Sequence, residues 1–355
     1  MSKKVKVELP THLILESKAF ERLHGSEIVE FLAERRVVVM SGRGPTRQIG
    51  EQLIADLKLQ PTQVKALYCK DNTLQTVDEL ENEAQQVFAE MIIGVGGGKV
   101  LDVAKVVGTR MNLPVILVPT ALSSDAICSP VASIRVSQTK SISIEVRMPW
   151  AVVIDFDTVA RSPARLFSSG IGDLLSNKTA LEDWKLAHQV KKEKMNGFAS
   201  LIADKATEAF LNKINQKNIS NEVLIQVAAE SLIMSGMAMA IAGSSRPCSG
   251  SEHLISHALD YYCGGKALHG EQVALGMLVS EYLQGNHNSE NNMRQYFKRL
   301  GLPLHYRELG YTKEEMSLAI QNAATIRNRY TILNETELTA KHISHVLDEV
   351  FPLSP

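Results

Sequence analysis

Between residues 36 and 118 short, unbroken apolar runs alternate with stretches of helix length, and after Asp157 such runs stop. A run such as Arg36-Val37-Val38-Val39-Met40, halted by Ser41-Gly42-Arg43-Gly44-Pro45, is the pattern of a strand buried on both faces and ended by a turn. Further strands are predicted over residues 64–68, 91–94 and 115–118, with helices over 50–57, 77–88 and 99–108 between them. That order calls for a parallel sheet covered on both faces, a Rossmann-like α/β domain. Residues 131–135 and 141–146 read as a hairpin, and 151–154 as a final strand. Beyond them, stretches 174–188, 195–214, 222–241, 253–260, 271–285, 291–300 and 313–326 read as helices broken at Gly, Pro and Asn. A chain of 355 residues suits two such units. The division is therefore an α/β dinucleotide-binding domain over 1–158 and an all-α domain over 159–355, with the active site in the cleft between them.

Charge and composition narrow the partners. Lys and Arg number 38 against 39 Asp and Glu, so no global field draws nucleic acid or an anionic membrane, and small molecules are the expected partners. No unbroken apolar run of about 18 residues suggests a membrane span. The four cysteines lack a Cys-x-x-Cys spacing, which fits reduced thiols in a cytoplasmic protein. Lys191-Lys192-Glu193-Lys194 reads as a solvated helix end or loop.

Gly96-Gly97-Gly98-Lys99-Val100 stands directly after a strand and directly before a helix carrying Asp102 and Lys105. Such a loop lets backbone approach a pyrophosphate closely, although a tight turn would need the same residues. Thr120-Ala121-Leu122-Ser123-Ser124-Asp125 and Ser129 follow the next strand, where open α/β sheets bind ligands. A self-bonded turn is the plainer reading of that hydroxyl-rich loop. Asp173, after Gly172, reads as an acid at a helix start. His253 and His257 share one helix face, and His269 follows before a new helix. One carboxylate and two imidazoles supply the three protein ligands of a catalytic Zn²⁺, with either both helical histidines binding metal or one touching substrate. Glu252 precedes His253, so the spacing is not that of a His-Glu-x-x-His metalloprotease.

These stretches resemble the sn-glycerol-1-phosphate dehydrogenase family, in the superfamily of glycerol dehydrogenase, iron-containing alcohol dehydrogenases and dehydroquinate synthase. The likeness runs in order through residues 94–105, 118–134, 170–184, 242–260 and 268–272, and again through Arg327-Asn328-Arg329-Tyr330-Thr331-Ile332-Leu333. The resemblance implies dinucleotide binding by Gly96, Gly97, Gly98, Lys99, Val100, Thr120, Ala121, Leu122, Ser123 and Ser129. It implies one Zn²⁺ per subunit on Asp173, His253 and His269, with Asp125, Asp173 and His257 at the substrate, Asp125 and His257 as the catalytic pair, and a homo-oligomeric assembly. The implied reaction is reversible reduction of dihydroxyacetone phosphate at C2 by NAD(H) or NADP(H), a step of phospholipid synthesis. His257 is favoured over a water beside the zinc as proton donor, because an imidazole titrates near working pH. The substrate phosphate calls for a cation, with Arg246 the first candidate and Lys178 the second. Ser124-Asp125-Ala126 is instead similar to the glycerol dehydrogenase branch, which keeps a zinc-dependent polyol dehydrogenase, and more remotely a lyase of the dehydroquinate synthase kind, as alternatives. No acid ends the first strand, so Arg43 or Arg47 is expected to admit the extra phosphate of NADPH.

Overall fold

The computed structural model describes residues 7–23, 26–137 and 140–352, with backbone alone over 287–291. Eight strands form in chain order: β1 (His12–Glu16), β2 (Val37–Gly42), β3 (Val64–Cys69), β4 (Met91–Gly96), β5 (Val115–Pro119), β6 (Val131–Arg135), β7 (Ser141–Glu145) and β8 (Ala151–Asp155). Six of them build one sheet in the order β1-β8-β5-β4-β2-β3, every pair parallel. β6 and β7 make a separate antiparallel hairpin. Each run predicted from sequence corresponds to a strand, with bounds that agree to within two residues; Arg36 and Val146 fall just outside theirs. β1 comes as an addition, since its short His-Leu-Ile-Leu-Glu segment carries no alternation.

Period-two geometry divides each strand's side chains between two faces. Val37, Val39, Met91, Ile93 and Val153 pack on one face, with Leu53 and Leu57 of the helix Pro45–Leu57. Val38, Met40, Ile92 and Val152 pack on the other, with residues of the helices Leu74–Gln86 and Gly98–Arg110. β2 has β3 on one side and β4 on the other, so the chain reverses its direction of travel there. The carboxyl ends of β2 and β4 thus flank the switch point at which open sheets bind ligands.

After Asp155 every described element is helical, and one apolar core runs from the sheet into these helices. The helix Asn221–Ala242 is long and apolar enough to cross a membrane by length and composition, with a mean hydropathy of 1.6. Gln226 and Glu230 interrupt it, which hides it from a search for unbroken apolar runs. Its Ile225, Ala228, Leu232 and Ile233 lie in the main core beside the helix Gly197–Ile214, as expected of a central core helix. The stretch predicted as one helix over 174–188 is two. Ala164–Leu175 ends at Ser176, and Asn177–Lys191 begins there.

Candidate active site

A cavity of about 590 Å³ opens between the carboxyl edge of the sheet and the helices. Its sheet side is the glycine loop. Gly97 is extended (φ −83°, ψ 178°), a conformation open to any residue, and a Cβ placed on it would meet no atom within 4 Å. Neither backbone nor packing therefore requires glycine at 97. A ligand lying against the bare backbone would require it, because a side chain would fill the cradle at the amino end of the helix Gly98–Arg110. Gly98, Lys99, Val100, Ser123 and Ser129 also line the cavity. Gly96, Thr120, Ala121 and Leu122 do not; they pack behind it, where the Thr120 amide donates to the Gly96 carbonyl at 3.0 Å.

Below the loop lies a closed ion pair. Lys105 is fully buried, with Nζ 2.9 Å from Asp102 Oδ1, and donates to the Val131 carbonyl at 2.6 Å and to Ser129 Oγ at 3.2 Å. Asp102 Oδ2 accepts from the Ser133 amide at 3.0 Å. Burial raises the Asp102 carboxyl, against the pull of Lys105. The pair ties the glycine-loop helix to the segment leading into β6.

Asp173 sits in the last turn of Ala164–Leu175, not at a helix start. Gly170 and Gly172 read as a break in the sequence, yet here they are notches. A Cβ at Gly170 would stand 2.0 Å from the Leu122 carbonyl oxygen, and one at Gly172 2.4 Å from that of Gly270. The helix can thus press against the serine loop and the residue beside His269. His253 comes from Ser251–Cys263 and His269 opens His269–Leu283. Asp173 Oδ1 is 3.2 Å from His253 Nε2 and 3.6 Å from His269 Nε2, and one ligand atom of each residue lies within 4.8 Å of the others.

Glu252, absent from the sequence reading except as a spacing argument, orients this cluster. Its Oε1 is 2.8 Å from His253 Nδ1, and its Oε2 accepts from Thr179 Oγ1 at 2.9 Å. With Nδ1–H donating to Glu252, the Nε2 of His253 faces Asp173, free to give up its proton to a metal ion. That carboxylate-behind-imidazole arrangement fixes metal-binding histidines. Burial works against a charged His253, but Asp173 and Glu252 on either side outweigh it and raise its pKa to about 9. Burial likewise opposes ionisation of Asp173, and the two imidazoles overcome it, holding that carboxyl far below its usual range. One buried imidazole and one half-buried imidazole beside an ionised carboxylate are a donor set that fits a divalent ion of borderline softness.

The Asp125 amide donates to Asp173 Oδ2 at 2.8 Å, which brings the Asp125 side chain to the cavity floor. Burial, and then the Asp173 carboxylate, raise the Asp125 carboxyl to about 7. His257 also reaches the cavity, and its Nε2 accepts from Arg327 Nη2 at 2.9 Å. Burial, followed by Arg327, drives its pKa well below the ordinary value. The expected titration of His257 near neutral pH is thereby corrected: the ring is neutral, and its Nε2 is an acceptor.

Arg246 is not among the residues lining the cavity. It is buried, with both arms of its guanidinium on the Glu193 carboxylate and Nη1 donating to the Tyr330 carbonyl at 2.8 Å. Glu193 belongs to the lysine cluster read as solvated, which hid the pairing. Lys178 opens onto a separate surface hollow with Glu182 and Lys185. Neither cation lines the cleft. Arg43 stands exposed in the turn after β2, while Arg47 pairs with Glu51 at 2.8 Å and covers the Tyr68 ring.

Comparisons with known proteins bear on this geometry. The sequence profile of the iron-containing alcohol dehydrogenases matches residues 18–163. Glycerol-1-phosphate dehydrogenase [NAD(P)+] of Hyperthermus butylicus is 36% identical over 337 residues, covering 94% of this chain and 95% of that one. The chain belongs to the glycerol-1-phosphate dehydrogenase family. The Staphylothermus marinus member is 40% identical over 277 residues, 78% of each chain. The fold is that of glycerol dehydrogenase from Schizosaccharomyces pombe, with a TM-score of 0.79 at 24% identity over 98% of this chain and 91% of that structure. The family resemblance drawn from residues 94–272 and 327–333 thus extends over nearly the whole chain.

Proposed function

We propose that the chain reduces dihydroxyacetone phosphate at C2 with NADH or NADPH, reversibly, to give sn-glycerol 1-phosphate, using Zn²⁺ held by Asp173, His253 and His269. The observation that carries the reading is one cavity faced by both the bare backbone of Gly97 and the His253 and His269 rings of the cluster, with Asp173 directly behind them. A divalent ion in that cluster supplies Lewis acidity toward a ketone, and the nicotinamide supplies the hydride.

The residues divide the remaining work. Gly97 and Gly98 give the pyrophosphate its backbone amides, and Ser123 offers a hydroxyl along the same wall, while Ser129 lines it with its own hydroxyl held by Lys105 and the Val131 carbonyl. Glu252 keeps His253 in the tautomer that presents Nε2. Asp125 and His257 flank the reacting carbon in this reading. The alcohol oxygen formed must take a proton, and Arg327 already fills the Nε2 lone pair of neutral His257. The Asp125 carboxyl, raised by burial, holds a proton of the kind required.

The test is cofactor oxidation followed by absorbance, with dihydroxyacetone phosphate and dihydroxyacetone side by side and with each nicotinamide. Stoichiometric oxidation with the phosphorylated ketone is the expected result. Preference for dihydroxyacetone would point to a polyol dehydrogenase, and bound NAD that shows no net change would point to a lyase.

A further inference from the structure

Arg327 follows the helix Lys313–Ala323 and reaches the cavity beside the β6–β7 hairpin. Its Nη2 donates to Ser143 Oγ on β7 at 2.5 Å and to His257 Nε2 at 2.9 Å. Both partners are uncharged, and among the described residues no carboxylate answers this guanidinium; burial alone acts on it. Two residues on, Arg329 donates to the Ser249 carbonyl and, at 2.6 Å, to Ser245 Oγ, so it too meets only neutral groups directly. Arg135 and Lys140, at the ends of β6 and of the turn before β7, line the same cavity.

The other enclosed cations of this region have their anions. Lys105 has Asp102, and Arg246 has Glu193. Withdrawing a guanidinium from water without a counter-charge is unfavourable, and such a group is retained where a ligand brings the charge. Its planar fork suits a phosphate, and only Nη2 is engaged by protein among the described residues, which leaves Nη1 and Nε for oxygen acceptors.

We propose that Arg327, with Ser143 beside it, is the subsite for the substrate's phosphate, the role the sequence assigns to Arg246. The proposal rests on the reading of the substrate as a phosphorylated ketone. His257 stands between Arg327 and the metal-binding cluster, its ring centre 5.9 Å from that of His269. A molecule with its carbonyl at the cluster and its phosphate at Arg327 therefore needs only a short carbon chain, as a triose phosphate has. Bound phosphate would also draw Arg327 toward itself, so the hydrogen bond to His257 links phosphate recognition to the orientation of that imidazole.

The experiment uses metal-loaded enzyme and two readouts, steady-state kinetics on dihydroxyacetone phosphate and on dihydroxyacetone, and competition by inorganic phosphate. Arg327→Ala should raise KM for the phosphorylated ketone and the inhibition constant of inorganic phosphate roughly 10- to 100-fold, the loss typical of a charge-assisted contact, and by far more than any change on dihydroxyacetone. Arg327→Lys should recover part of both, and Arg327→Gln serves in place of alanine if that variant does not purify. Ser143→Ala should move both constants in the same direction by less. A wild type that prefers dihydroxyacetone overturns the substrate reading and the subsite with it. A wild type that prefers the phosphorylated ketone, while Arg327 variants lose equally on both substrates and inorganic phosphate competes unchanged, overturns the subsite alone.

Discussion

Lys105, fully buried behind the cavity, and Arg327, half-buried at its wall, have opposite surroundings. Lys105 Nζ has a carboxylate, a hydroxyl and a backbone carbonyl around it and no exposed surface. Arg327 has a hydroxyl, an imidazole and open space. A buried cation whose charge is answered within the protein is a fastener, and one left unanswered waits for a ligand. Sequence spacing cannot separate the two cases, since each is a single basic residue near a motif.

The sharpest break in the comparison concerns the metal. Dialysis against a chelator, or His269→Ala, should remove essentially all turnover, and added Zn²⁺ should restore it only in the chelated wild type; full activity in metal-free enzyme would end the metal reading. Next in size, Lys105→Met leaves Asp102 enclosed without its partner and should cost about 3–5 kcal/mol in denaturant unfolding, whereas Arg327→Ala should cost little or even stabilise. The Lys105→Met penalty has a pH signature. Asp102 is already raised by burial, so the folded variant binds a proton that the unfolded chain releases above about pH 4, and stability should fall as pH rises through that window toward the raised folded value. A pH-independent penalty would show that Asp102 is not the group left stranded.

Glu252→Gln should weaken metal affinity by about 10- to 100-fold with the ligands intact, as measured by competition with a chelating dye. Arg246→Ala breaks a pair whose Glu193 partner is about one-third exposed, so a loss of roughly 1–2 kcal/mol is expected, with equal effects on the two ketones. A selective loss on dihydroxyacetone phosphate would return the phosphate to Arg246. The smallest effect concerns cofactor choice. Both nicotinamides should serve, and Arg43→Ala should raise KM for NADPH alone by several-fold, on the order of 1 kcal/mol; strict dependence on NADH would remove the role given to Arg43.

Much of the sheet was legible because β-branched runs such as Val37-Val38-Val39 state their burial directly. Helix boundaries around Asp173 were not, because Gly170 and Gly172 signal a break by propensity and are in fact cut to fit Leu122 and Gly270, neighbours distant in sequence. The histidines were found by their clustering. Glu252 was overlooked although it adjoins His253, since an acid beside a histidine has no meaning until the ring orientation is known. The pairing of Arg246 was hidden by Glu193, whose surroundings of lysine made it look solvated.

β1 pairs in register with β8, His12 against Ala151 through Glu16 against Asp155. On a ribosome β1 is therefore made well before the only sheet strand it touches, and it must be carried unpaired while β2 to β5 assemble without it. Its open edge is a place where another chain could pair during that interval. Seating β1 closes a loop spanning much of the α/β region, a late and slow event by the entropy of joining distant segments. A nascent chain stalled just short of residue 151 should already protect β2 and β4 from proteolysis while leaving His12–Glu16 open to cleavage.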